Sequence, residues 1–205
     1  MTKVSYDECI FINCPFTRDY EPMFRAMVFV IMDCGYIPRS ALEFGGGDVE
    51  RLAKIIQIIR ECRYAVHDIS CTELDPENRL PRFNMPLELG LFMGARNFGV
   101  GRQKTKSFLV LDRESYRFQK YISDLAGRDI QTHKNSPDLL IRRIRDWLRD
   151  HNTTSSFPSA KRIIRRFHEF QSQLPLICES PELDPHELQF NDFTTLVEFW
   201  LRNNP

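Results

Sequence analysis

Two carboxylates in this chain stand where a carboxylate could do chemistry. Asp68 lies at the end of an apolar run, residues 63–70 (RYAVHDIS), and Glu88 lies near the start of the helical run that begins around Asn84. A helix leaves its first N–H groups unpaired and carries partial positive charge at that end, so an acid in the first turn is expected to be held ionised. An ionised, positioned carboxylate can attack a sugar C1, or support the positive charge that C1 develops as a glycosidic bond breaks. Each acid also has a structural reading. Glu88 can be a first-turn acid that adds about 0.3–1 kcal/mol to its helix. Asp68 can be a strand-end residue that caps a loop. Both are expected to face one rim of the fold.

The elements that would position them alternate. Residues 9–13 (CIFIN), 36–38, 63–70 and 106–112 (KSFLVLD) are short apolar runs and predict strands, with a possible fifth at 128–132. Phe24, Met27, Val28 and Ile31 recur at helical spacing, and Gly35 ends that helix. A glycine loop at Gly45–Gly47 leads to Asp48, a candidate N-cap for a helix carrying Val49, Leu52, Ala53, Ile56 and Ile59 on one face, widened by Ile55 and Ile58. Asn84 is expected to cap the next helix, with Pro86 in its first turn. A further helical pattern covers residues 139–148, and after the polar break HNTTSSFPS two more helical segments follow.

This alternation predicts an α/β fold with a parallel sheet and helices on both faces. Right-handed crossovers make the flavodoxin-like order 2-1-3-4-5 the expected one. The expected division is an α/β domain over residues 1–151 and a helical extension over 152–205. Ligands in such sheets bind beyond the carboxyl ends of the strands, beside strand 1.

Composition narrows the partners. Lys plus Arg is 28 and Asp plus Glu is 28, so bulk charge makes no case for nucleic acid or an acidic membrane. No apolar run is long enough to span a bilayer, and MTKVSYDECI has no signal-peptide core. The six cysteines form neither a CxxC pair nor a zinc-spaced cluster, which predicts reduced thiols, a cytoplasmic location and no metal. No bound cofactor is expected.

The stretch PRFNMPLELGLFMGA, residues 81–95, resembles the nucleoside 2-deoxyribosyltransferase motif P-D-x-G-T-x-x-E-L-G-x-A, with Pro81, Glu88, Leu89 and Gly90 in register. HDIS, with Asp68, resembles that superfamily's third-strand aspartate, and FINCPF resembles its first strand and substrate loop. The superfamily includes Toll/interleukin-receptor domains, whose glutamate cleaves the nicotinamide glycosidic bond of NAD. The likeness covers about the first 130 residues in patches.

The resemblance implies Glu88 as nucleophile or oxocarbenium stabiliser and Asp68 as a sugar or base contact. It implies Asn13 and Phe16 as pocket floor. It also implies a homo-oligomer and, by extension, nucleotide depletion in bacterial antiphage defence. Arg82 stands where the motif has aspartate and Asn84 where it has glycine. A guanidinium there suits a phosphate, which shifts the expected substrate from a free deoxynucleoside to a nucleotide. Arg39 and Glu43, flanking the glycine loop, are further candidate lining residues. The competing readings are a nucleotide sensor without turnover and a Toll/interleukin-receptor-like interaction module. The aromatic, basic segment YRFQKYISD can stack a base, close as a lid, or pack on the sheet.

Overall fold

The computed structural model describes residues 5–43, 50–74, 79–152 and 156–205. The glycine loop and the Asp48 cap lie outside them.

Five parallel strands form one sheet: β1 (Cys9–Asn13), β2 (Ile37–Arg39), β3 (Tyr64–Asp68), β4 (Ser107–Asp112) and β5 (Gln131–Thr132), in the order β2-β1-β3-β4-β5. This is the expected flavodoxin-like arrangement. Ile10 pairs with Tyr64 and Pro38, and Tyr64 with Ser107, so the apolar runs lie side by side at the centre. Pro38 is tolerated because β2 is an edge strand, where a missing donor need face no neighbour.

Side chains alternate across the sheet. Ile10, Ile12, Tyr64 and Val66 face a layer made by α1 (Glu21–Asp33) and α4 (Pro137–His151). Cys9, Phe11 and Ala65 face α2 (Arg51–Glu61) and α3 (Asn84–Phe98). Gly35 ends α1 at φ +80°, a conformation that favours glycine. On α2 the buried residues are Ile55, Ile58 and Ile59, with Cys62 just beyond; Leu52 and Ala53 are exposed. The expected face is therefore rotated toward Ile55 and Ile58, because α3 covers α2 as well as the sheet does.

Two C-terminal helices, α5 (Ala160–Glu179) and α6 (Phe190–Asn203), pack outside α1. Phe29 of α1 meets Phe167, Phe170 and Trp200, with ring centroids 5.6, 5.6 and 5.9 Å away. Each such buried ring is worth about 1.5–3 kcal/mol in water-removed area, so these helices continue the core of the α1/α4 layer. Arg166 of α5 reaches Asp33 of α1 at 3.4 Å, and both are buried.

Among the described residues no helix is long and apolar enough to cross a membrane. All six cysteines are free thiols.

Candidate functional site

The sheet reverses its winding between β1 and β3, and the carboxyl ends of these strands carry the candidate residues. Asp68 ends β3 and is fully buried. Strand alternation sends His67 toward α3 and Asp68 toward the α1/α4 layer. There Tyr20 Oη donates to Asp68 Oδ2 at 2.6 Å and the Ser70 N–H donates to Oδ1 at 2.8 Å. His133 Nε2 lies 2.9 Å from the same Oδ2. The Asn135 N–H donates to His133 Nδ1, so that nitrogen carries no proton and the ring hydrogen sits on Nε2.

Ser70 Oγ is also 2.9 Å from Nε2. Serine, histidine and aspartate thus meet, but both partners share one ring nitrogen. In a nucleophilic triad the histidine uses opposite nitrogens for serine and carboxylate. This trio is therefore a structural lock at the end of β3, and the resulting Asp68 carboxylate is closed to solvent. Tyr20 and Ser70 line a cleft of about 500 Å³ above it, with Cys71, Glu73, Arg82 and Arg113 at its sides.

Glu88 lies on the other face of the sheet, on α3. It is the fifth residue of that helix, so it sits beyond the first turn rather than within it. The expectation that the helix terminus would hold it ionised is overturned. Its side chain is 7% exposed and makes no hydrogen bond or ion pair among the described residues. Burial pushes its carboxyl up to about 7, against a smaller opposing pull from Arg51. Asp68 extends from β3 and Glu88 from α3, the two elements that flank the end of β1. They bear on the end of β1 from opposite layers: burial raises the Cys14 thiol well above its ordinary range, and the charges of Asp68 and Glu88 both add to that rise.

The other candidates divide by location. Asn13 is buried, and its side-chain amide donates to Met85 O and to His67 Nδ1, each at 2.9 Å. It ties the first turn of α3 to β1. Burial among Phe11, Phe92 and Phe108 lowers His67 to about 3, consistent with a core histidine. Phe16 packs edge-on against Phe24, 5.5 Å away, and lines a cleft of about 310 Å³ with Phe190 and Phe193.

Arg39 and Glu43 pair through Nε, 2.9 Å from both carboxylate oxygens, and Arg39 Nη1 reaches Glu61 at 3.1 Å. They line a cleft of about 840 Å³ along the open edge of β2, closed on its far side by α6. Cys9 lines the same cleft; a hydrogen bond from Cys62, and then Arg39, bring its thiol down to about 7 against the effect of burial. Arg82 and Asn84 are exposed at the start of α3. Asn84 is the first helical residue, and the N-cap position falls on Phe83 without a side-chain cap, so the expected Asn84 cap is corrected.

The YRFQKYISD segment is pinned rather than free to close. Arg117 donates to the Ile69 and Ser70 carbonyls at 2.8 Å and pairs with Asp112 at 2.9 Å. Tyr121 Oη donates to Ile69 O at 3.0 Å, and Phe118 is buried.

Sequence reasoning missed Tyr20, Ser70 and His133. A histidine after a weak strand and a tyrosine in a loop carry no local mark of their shared partner. Among the described residues no group of His, Cys, Asp and Glu has the arrangement of a metal site. Comparison with known proteins finds no matching family model and no similar curated protein.

Proposed function

We propose that this chain cleaves or transfers the N-glycosidic bond of a nucleotide, with NAD or a nucleoside phosphate as substrate and Glu88 as the working carboxylate. One observation carries the reading: the Glu88 carboxyl is buried, has no partner among the described residues, and is raised to about 7. A carboxyl that the fold leaves unpaired is stabilised strongly by any positive charge a ligand brings, because the surroundings screen little. The sugar C1 becomes positive only as its bond to the base breaks. The stabilisation therefore falls on the transition state, where it accelerates the reaction.

Arg82, exposed beside Asn84 at the start of α3, suits a substrate phosphate. Asp68 acts in this reading as a positioning residue that fixes Tyr20 and Ser70 beneath the neighbouring cleft. A part in antiphage nucleotide depletion, implied by the resemblance, rests on this activity.

The test is incubation of NAD, and separately of deoxynucleoside monophosphates, with the wild type and with Glu88→Gln, followed by chromatography of the products. Nicotinamide or free base released by the wild type and not by the variant supports the proposal. Saturable binding with no product, equal in both proteins, replaces it with a nucleotide sensor. Neither binding nor product favours an interaction module.

A further inference from the structure

We infer that two copies of this chain associate through the outer face of α3, crossed antiparallel about a two-fold axis. The helix is 15 residues long and its only charged residues are Glu88 and Arg96. Its outward side carries an apolar stripe, with Asn97 at its edge. Phe83, Leu87, Gly90 or Leu91, Gly94 and Phe98 follow one another at helical spacings of three and four, so they form one stripe.

Phe83 is 66%, Leu87 54% and Phe98 89% exposed. At about 200 Å² for a whole large apolar residue, these three offer roughly 400 Å². Leu80 and Val100, which adjoin the two ends of the stripe in the chain, are also exposed. They raise the total to roughly 700 Å², close to the ~800 Å² that one partner contributes to a standard stable interface.

The glycines supply the second argument. Gly99, just after α3, is required by the fold, because a Cβ there would lie 2.2 Å from the Ala95 carbonyl oxygen. Gly90 and Gly94 are not required. Among the described residues, a Cβ on Gly90 would meet nothing within 4 Å, and one on Gly94 would meet only the Phe98 ring at 4.0 Å. Neither has positive φ. Glycine inside a helix is destabilising relative to alanine, so this chain carries two such residues without an internal reason.

A second copy provides the reason. An antiparallel pair centred midway between Gly90 and Leu91 sets Leu87 of one copy over Gly94 of the other, Leu91 over Gly90, and Phe83 beside Phe98. Each bulky residue meets a notch or a ring, and the same surface serves both partners, as a two-fold interface requires. The stripe has no charge to select a partner of opposite sign, so a second copy fits it better than a charged protein does. This pairing does not depend on the chemistry assigned to Glu88.

Sedimentation or light scattering of the full chain at about 100 μM, where an interface of standard size is populated, tests the inference. The wild type should show twice the 24.2 kDa chain mass. Gly94→Leu should fill the notch and weaken the dimer about tenfold to a hundredfold, the usual scale of overpacking. Leu87→Ala combined with Gly94→Leu exchanges knob and notch in both copies and should recover the dimer. If Gly94→Leu does not fold, as judged by circular dichroism, Phe98→Ser carries the same test at a solvent-facing site and should also weaken the dimer. A monomeric wild type, or a dimer that survives both Gly94→Leu and Phe98→Ser, overturns the inference. Failure of the double variant to recover overturns the antiparallel register. A dimer that releases no product sinks the activity proposed above and leaves this interface standing.

Discussion

On the α1/α4 side of the sheet Asp68 is held by Tyr20, Ser70 and His133, whereas on the α2/α3 side Glu88 has no partner among the described residues. Both acids are buried at the same end of the sheet, and burial penalises a charge that is left without partners. Three donors offset that cost at Asp68. At Glu88 the pull of Arg51 offsets it only in part, and the carboxyl responds by holding its proton to about pH 7. A buried carboxylate with all its hydrogen bonds made serves the fold, while one left without them is stabilised only by a ligand.

The largest expected effect breaks the satisfied side. Asp68→Ala should leave the Tyr20 hydroxyl, the Ser70 N–H and the His133 ring without their acceptor, lowering stability by about 3–5 kcal/mol in urea unfolding. A loss under about 1 kcal/mol would mean that water replaces the carboxylate and that Asp68 is not a lock.

Glu88→Gln should move the other way. The Glu88 pKa rises from 4.5 unfolded to about 7 folded, so the folded state binds more protons between those values. Stability in the wild type should therefore fall as pH rises from about 4.5 to about 7, by about 3 kcal/mol, and then level off. Above pH 7 the glutamine variant should be the more stable protein, and its profile across that window should be nearly flat. Parallel profiles for the two proteins would show that Glu88 is solvated or paired.

A smaller effect tests the α2/α3 layer away from Glu88. Lys106 is buried and its ammonium donates to the Ile59 and Cys62 carbonyls at the end of α2, beside the Phe92 ring. Burial lowers its pKa to about 8. Lys106→Met should cost about 1–3 kcal/mol from the two abandoned carbonyls, partly offset by the apolar replacement.

The smallest change in stability is expected at Arg82, which is exposed. Arg82→Ala should alter unfolding by about 0.5 kcal/mol or less while weakening nucleotide binding in a direct titration. Equal affinity in both proteins would remove Arg82 from the proposed phosphate contact.

Much of the scaffold was legible in the order of residues. CIFIN, RYAVHDIS and KSFLVLD read as buried strands because parallel strands covered on both faces need continuous apolar runs. The helices between them then require a parallel sheet. The sites were legible only as positions. Glu88 could be named from its neighbours, yet its placement in the first turn was wrong, and with it the expected ionised state. Boundaries of a helix depend on how its end packs; here Asn13 bonds Met85 O and draws the first turn of α3 to β1. Arg39 and Glu43, expected as lining residues, pair with each other at the β2 edge, where both line a cleft.

Local pattern by itself determined that this chain alternates strand and helix, which runs are buried, and that His67 and Asp68 point to opposite faces, since these follow from periodicities of two and 3.6 residues. Only the tertiary structure decided what each acid meets. Tyr20 and His133 lie far from Asp68 along the chain and reach it through separate loops, and the lack of a hydrogen-bond partner for Glu88 among the described residues is set by which groups α3 approaches. A carboxyl's protonation answers to distances through space and to the loss of water around it, and neither quantity is written in the spacing of residues along a sequence.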